Sequence, residues 1–170
     1  MKLIKPSFLI KEQESGLDGI YKQIEWAGRH CYKSHDKITE DSAKGFVDRM
    51  IKSGHGAMLE HGTVYLVMKG DENLSKRYQD NSYSKVILKY PEEDLPNIYS
   101  IPTHYITTNY RVLVENKWLD DLKYICEPTR FHEKRISVKF ICDRGVSHEF
   151  VRHRVFSFAQ ESTRYLIIAT

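Results

Sequence analysis

The sequence predicts one domain of the α/β (α+β) class, with helices packed around an antiparallel sheet. Apolar residues at i, i+3, i+4 and i+7 spacing run through 43–51, which is typical of a helix facing a core. Residues 135–142, RISVKFIC, alternate between polar and apolar side chains, which predicts a strand with one covered face. The chain has 170 residues, 41% hydrophobic and 29% charged, so we expect a single domain over 1–170.

Two helices are expected before the first strand. Thr39 or Asp41 is placed to cap the second helix, and Gly54 is placed to end it. The core-facing stripes of these helices are Leu17, Ile20, Tyr21, Ile24 and Ala27 in the first, and Ala43, Phe46, Val47, Met50 and Ile51 in the second.

Three strands are expected, over residues 63–68, 105–116 and 135–142. A short helix is expected over 118–125, and a last helix from Gly145 to about Arg154. The one-sided faces of the second and third strands would consist of Tyr110, Val112 and Val114, and of Ile136, Val138, Phe140 and Cys142.

Residues 69–103 differ from the rest because they are polar and contain three prolines. A loop of this length is uncommon inside a compact domain, which favours an insertion or a functional lid.

Composition narrows the class of protein. The net charge of +3 is too small by itself to indicate a nucleic-acid partner. No stretch approaches the ~20 apolar residues that cross a bilayer, and the N-terminus has no signal-peptide pattern. The three cysteines are far apart in sequence, which predicts reduced thiols and a cytoplasmic location.

A dense cluster of cations follows the last predicted helix. Between Arg144 and Arg164 the sequence has four arginines and two histidines against Glu149 and Glu161. One interpretation is a solvated basic face with ion pairs; another is a site for a phosphate or pyrophosphate, which the arginine fork suits. Nearby Phe156 and Phe158 suit a heteroaromatic ligand that carries phosphates, and they equally suit a packed core.

The stretch 53–62, SGHGAMLEHG, contains two histidines and a glutamate between a helix and a strand. Zinc binding by His55 and His61, with Glu60 as a base, is disfavoured because the HExxH spacing is absent. The alternatives are a tight turn or a glycine loop that approaches a ligand. The group Arg29-His30-Cys31 with His35 also matches no standard metal spacing, so no metal is expected.

These residues resemble one known family. RHRVFSFAQESTRY, 152–165, is similar to the signature of the flavin-dependent thymidylate synthases, which is Arg-His-Arg, seven residues, then Ser. DRGVSHEFV (143–151) resembles the helix before that signature, GHGAMLEH (54–61) an earlier histidine loop, and AGRHCYKS (27–34) the end of an N-terminal helix.

The resemblance implies an α/β fold around an antiparallel sheet and a homotetramer with active sites shared between subunits. It also implies that NADPH reduces FAD, and that a methylene group passes from methylenetetrahydrofolate to C5 of dUMP. The cofactor carries this chemistry, which agrees with the absence of a serine or cysteine beside an obvious base.

The resemblance also implies roles for individual residues. The catalytic group would be His55, Arg152 and Ser162. The flavin would be bound by His55, Arg152, His153, Arg154 and Gln160. The dUMP would be bound by Glu149, Arg152, Gln160, Glu161, Ser162, Thr163 and Arg164.

Two departures from the family leave alternatives open. Residues 69 to about 134 form an insertion relative to the simple family pattern, and the resemblance covers only the N-terminal half of a typical member. We therefore expect the chain to lack the family's C-terminal half. The alternatives are a non-catalytic flavin- or nucleotide-binding or assembly module, or, less favoured, a basic nucleic-acid-binding protein.

Overall fold

The computed structural model describes residues 5–70, 72–91, 101–153 and 156–161, and its fold is of the predicted α+β class. The described strands form two antiparallel sheets: a ribbon of order β1-β5 and a three-stranded sheet of order β2-β4-β3. The strands are β1 Ser7–Lys11, β2 Thr63–Lys69, β3 Lys85–Lys89, β4 Thr103–Asn109 and β5 Ser137–Ile141. The α-helices are α1 Gly16–Cys31, α2 Ser42–Lys52, α3 Gly56–Leu59, α4 Lys76–Gln79, α5 Tyr110–Glu115 and α6 Arg144–Phe150. Short 3₁₀ helices lie at His35–Lys37, Glu72–Ser75 and Leu119–Tyr124.

The two N-terminal helices are confirmed, and their apolar stripes meet in the core. Gly28 of α1 lies against Phe46 of α2 so closely that a Cβ there would be 2.4 Å from the ring. Below this contact the buried carboxylate of Glu25 accepts hydrogen bonds from Arg29 at 3.0 Å and from Ser42 at 2.8 Å. Burial of a charge is tolerated here because each carboxylate oxygen has a donor.

The predicted cap of α2 is wrong in detail. Asp41 precedes the helix but its side chain makes no capping hydrogen bond. Instead Ser42 closes the turn, since its hydroxyl accepts from the Thr39 N–H at 2.9 Å. Gly54 does end the helix region, with a φ of +70° that favours glycine.

The long strand predicted over 105–116 is also wrong in its second half. The strand β4 ends at Asn109, whose side-chain oxygen accepts the Val112 N–H at 3.0 Å and starts α5. Tyr110 and Val112 are buried by the helix rather than by a strand face. The β-branched residues favoured a strand, but the capping asparagine and the core contact of Leu113 favour the helix.

The strand predicted at 135–142 is present, but its apolar face is only partly covered by the described residues. Ile136 is 74% exposed and Phe140 is 54% exposed. β5 pairs only with β1 among the described strands, and both lie outside the main sheet. Alternation therefore predicted the strand correctly and its burial wrongly.

The segment predicted as a polar loop over 69–103 contains regular structure. After a 3₁₀ turn and α4 it forms β3, which pairs with β4 from Lys85↔Thr107 to Lys89↔Thr103. Tyr78 of α4 is fully buried and donates to Asp121 at 2.5 Å. Residues 92–100 lie outside the described part of the chain.

The remaining helices are close to expectation. The segment 118–125 forms a 3₁₀ helix, and the last helix, α6, ends at Phe150 rather than near Arg154. None of the helices in the described ranges is long and apolar enough to cross a membrane.

Asn109→Ala should lower the free energy of unfolding by about 1 kcal/mol, because the buried cap of α5 loses its acceptor. Ser15→Ala is the matched control, since Ser15 occupies the same position before α1 without a side-chain hydrogen bond. Urea unfolding followed by circular dichroism measures both. Equal losses for the two variants would contradict the capping role of Asn109.

Candidate functional site

The segments that carry the sequence motifs converge around residues 156–161, which we call the docked segment. The Ser157 hydroxyl donates to Glu60 at 2.7 Å, and the backbone of Phe158 bonds to the ring of His61. Ala159 packs against the hydrophobic core. These contacts bring residues about a hundred positions apart in sequence to the histidine loop, 53–62.

The other half of the docked segment joins two helices. Gln160 donates to the Ser147 hydroxyl of α6 at 2.8 Å. Glu161 accepts from Lys33, just after α1, at 2.6 Å. The resemblance blocks at 27–34, 54–61 and 143–151 are therefore all in contact with one short segment.

An open cleft of about 450 Å³ lies beside the docked segment. It combines a carboxylate, a guanidinium and several rings, a mixture that suits a planar ligand with an anionic group. Its lining residues are Glu60, Tyr83, Val151, Arg152, Phe156 and Phe158.

Arg152, the central predicted residue, lies on the turn that follows α6. Its guanidinium is 73% exposed and forms an ion pair with Glu149 at 3.3 Å. Such an exposed pair contributes little to stability, so the guanidinium is available for a ligand. His153 is also exposed on the same turn.

The predicted residues are only partly within the described chain. Glu149, Arg152, Gln160 and Glu161 are brought to the same region and are exposed. Arg154, Ser162, Thr163 and Arg164 lie outside the described residues, as does the structure of the loop they would form.

His55, predicted at the flavin, is at the start of α3 and exposed. Its Nδ1 shares a hydrogen bond of 2.9 Å with the Tyr32 hydroxyl, and the two rings stack at 6.2 Å. This contact joins the histidine loop to the end of α1, but His55 does not line the cleft.

His61 differs from His55 because its ring is buried. Burial lowers the pKa of His61, although Glu60 and a hydrogen bond to the Phe158 backbone act in the opposite direction. A bond that favours the charged ring is one in which the ring donates, so the neutral ring donates to that carbonyl. Nε2 is then a buried acceptor, and it has no hydrogen-bond partner in the described part of the chain.

Glu60 forms an ion pair with Arg111. Arg111 was not identified from the sequence as a residue of this region. Its Nη1 donates to Glu60 at 2.5 Å and its Nε to Glu115 at 2.7 Å. The hydrogen bond to Glu115, and to a lesser degree the one to Glu60, raises the pKa of Arg111. The i, i+4 spacing of Arg111 and Glu115 was the available signal, but it has meaning only on a helix.

A second group of histidines lies at the end of α1. The rings of His30 and His35 approach to 3.6 Å, and burial is the main cause that lowers the pKa of each. Within the described ranges no group of three or more His, Cys, Asp or Glu side chains is arranged to hold a metal ion.

Comparison with known proteins agrees with this arrangement of motifs. Residues 118–169 match the family described as "Thymidylate synthase complementing protein". The flavin-dependent thymidylate synthase of Mycolicibacterium vanbaalenii is 36% identical over 84 residues, covering 45% of this chain and 34% of that protein. In these regions the chain is similar to the flavin-dependent thymidylate synthases.

Two other members of this family match similarly. The protein of Mycobacterium avium is 33% identical over 84 residues, 45% of this chain and 34% of its own length. That of Corynebacterium aurimucosum is 34% identical over 61 residues, 35% of this chain and 24% of its own length. The chain thus spans about a third or less of these curated relatives. No solved structure matches it significantly.

Glu60→Gln should detach the docked segment, because the neutral amide binds Arg111 and Ser157 less strongly than the carboxylate. We expect a loss of about 1–3 kcal/mol in unfolding free energy and faster amide hydrogen exchange over 156–161. Glu115→Gln is the matched control, because it removes the more exposed partner of the same arginine and should cost less than about 1 kcal/mol. Unchanged exchange in Glu60→Gln would contradict the anchoring role.

Stability should depend on pH through His61. Because its folded pKa is lowered, the unfolded chain binds the proton first, and stability falls as pH drops below the unfolded value of about 6.5. One such proton changes the free energy of unfolding by at most about 1.4 kcal/mol per pH unit.

His61→Asn should make this fall shallower between about pH 5 and pH 7, measured by urea unfolding at a series of pH values. His148→Asn, at an exposed histidine of α6, is the control for the loss of a histidine side chain. Since His30, His35 and His132 also have lowered pKa values, only the difference from wild type reports His61. If the free energy of unfolding varies with pH in the same way in wild type and His61→Asn, then His61 is not a source of the pH dependence.

Proposed function

We propose that this protein takes part in the reductive methylation of dUMP to dTMP, with methylenetetrahydrofolate as carbon donor and NADPH as reductant of FAD. The observation that carries the proposal is the convergence of the histidine loop, the docked segment and Arg152 around one open cleft. The similarity to flavin-dependent thymidylate synthases supports the reaction class.

The residues fit a flavin nucleotide on grounds internal to the structure. The buried Nε2 of His61 is an acceptor with no donor among the described residues, and a ring N–H or ribityl hydroxyl is the type of group that would satisfy it. Phe156 is 67% exposed beside this loop, which suits stacking on an aromatic ring system. Arg152 and His153 are exposed and, with Arg154 from outside the described residues, would supply hydrogen-bond donors for a pyrophosphate.

When bound, the flavin supplies the hydride that completes the methyl group. The protein's part is to bind, orient and polarise. Arg152, which reaches both the cleft and Glu149, would place positive charge near the uracil ring as electrons shift within it. His55 and Ser162 complete the proposed catalytic group, with His55 oriented by Tyr32.

The proposed dUMP site extends along the docked segment. Gln160 and Glu161 are held by Ser147 and Lys33, which fixes this end of the docked segment. Glu149, Ser162, Thr163 and Arg164 are proposed to complete the site, with hydroxyls and a guanidinium for the phosphate and sugar. Together with His55 and Gln160 at the flavin, these residues form the whole proposed binding set.

A homotetramer with shared sites is part of the proposal. The ribbon β1–β5 leaves large apolar side chains open to solvent, including Phe8 at 69% and Leu9 at 57%. Apolar surface of this size on a ribbon is typical of an interface. We propose a cytoplasmic protein with one domain over 1–170 and an insertion over about 69–134.

A non-catalytic flavin- or nucleotide-binding module is the second candidate, favoured by the position of His55, which does not line the cleft. The two candidates differ in turnover. The enzyme should oxidise NADPH in a dUMP-dependent reaction when FAD and methylenetetrahydrofolate are added. The module should bind FAD, detected by flavin absorbance after gel filtration, and show no such oxidation.

Arg152→Ala should lower the affinity for FAD and dUMP with little effect on stability, because the guanidinium is 73% exposed. Loss of one charged hydrogen-bond donor predicts weaker binding by about 10-fold to 100-fold. Arg49→Ala, an exposed arginine of α2, is the control. Calorimetric titration measures affinity and thermal unfolding measures stability. If the variant unfolds while its folded fraction binds normally, Arg152 is structural.

A further inference from the structure

Tyr83 lines the cleft from a part of the chain that the sequence motifs do not include. It lies between α4 and β3, within the predicted insertion and outside the residues that match the family model. It shares the cleft with Arg152 and with Phe158 of the docked segment. The predicted insertion therefore contributes to the wall of the candidate site.

The backbone of Tyr83 is held on both sides. Its N–H donates to the Asn81 side chain at 3.0 Å, and its carbonyl accepts from Arg135 at 2.7 Å. The turn itself is anchored in the sheet, because the Ser84 hydroxyl bonds to Thr108 of β4 at 2.8 Å. A loop tip with this many fixed groups has little conformational entropy left to lose when a ligand binds.

The guanidinium of Arg135 holds the backbone of Tyr83. Its guanidinium is within salt-bridge distance of no carboxylate in the described ranges, and it donates to the Tyr83 carbonyl instead. Its backbone N–H is also engaged, by the Tyr65 hydroxyl at 3.1 Å. Arg135 is partly buried, and this burial lowers the pKa of its guanidinium. Arg135 thus fixes Tyr83 from the start of the ribbon.

Tyr83 nevertheless remains 62% exposed. Most of the accessible surface of a tyrosine belongs to its side chain, so a large part of this exposure is that of the phenol ring. An ordered backbone that presents an exposed ring next to a guanidinium is the arrangement by which proteins stack planar anionic ligands.

The geometry points to Tyr83 as an aromatic wall of the cleft, which stacks on the heteroaromatic ring of an anionic ligand and is positioned by Arg135 and Asn81. The choice of ligand class rests on the proposed function, which offers three ring systems of this chemistry: flavin, uracil and pterin. Tyr83 would add a binding residue from outside the signature.

Titration of the full chain with FAD, dUMP and folinate separates these sources. Tyr83→Ala should weaken one of the three ligands by about 5-fold to 150-fold, as alanine substitution does for stacking rings. Tyr83→Phe should stay within about threefold of wild type, because the ring is retained. Tyr90→Ala, a second exposed tyrosine that does not line the cleft, should change none of the affinities.

A double-mutant cycle tests whether Arg135 acts through Tyr83. Arg135→Ala should weaken the same ligand, and should have almost no further effect in the Tyr83→Ala background. Additive losses would show that Arg135 contributes by another route and would overturn its positioning role. Circular dichroism of each variant confirms that the affinities refer to folded protein.

The outcomes also separate this inference from the proposed function. If wild type binds FAD or dUMP and Tyr83→Ala binds all three probes equally well, the aromatic wall is refuted and the proposed function stands. If wild type binds none of the three, both fail together. Equal weakening by Tyr83→Ala and Tyr83→Phe would also refute stacking and would assign the effect to the hydroxyl.

Discussion

The candidate site depends on the hydrogen bonds that the Glu60 carboxylate accepts. One oxygen accepts from Arg111 of α5 and the other from Ser157 of the docked segment. The next residue, His61, bonds to the backbone of Phe158. Two adjacent side chains of the histidine loop therefore fix the docked segment, and with it one wall of the cleft.

This anchor is rigid because the histidine loop is part of the core. Gly62 passes so close to α1 that a Cβ would be 2.7 Å from Ile24, and the following strand β2 is buried over most of its length. The Gln13 amide extends the edge of β2 by exchanging two hydrogen bonds with Thr63, at 2.8 and 2.9 Å. Because the histidine loop and β2 are packed this closely, the side chains of the site have little freedom to move.

The sequence predicted α1, α2 and three of the five described strands, but it missed β1 and β3 and misjudged the burial of β5. The α1 and α2 stripes have long helical periodicity, so their type was clear. The change from strand to helix at Asn109 was missed because one side-chain cap outweighed a run of β-branched residues. Arg111 and Tyr83 could not be found, since Arg111 is joined to Glu60, and Tyr83 to the cleft, only through contacts between segments distant in sequence.

The position of Arg152 depends on how α6 and the ribbon β1–β5 are attached to the rest of the protein. α6 lies on the ribbon β1–β5 through the stacked rings of Phe140 and Phe150, 5.2 Å apart, and a two-stranded ribbon alone is marginally stable. Gln13 and Arg135 attach the two strands of this ribbon to the core at one end, and the docked segment attaches α6 at the other. Arg152 therefore keeps its position because contacts at both ends hold the ribbon and α6, which would be only marginally stable alone.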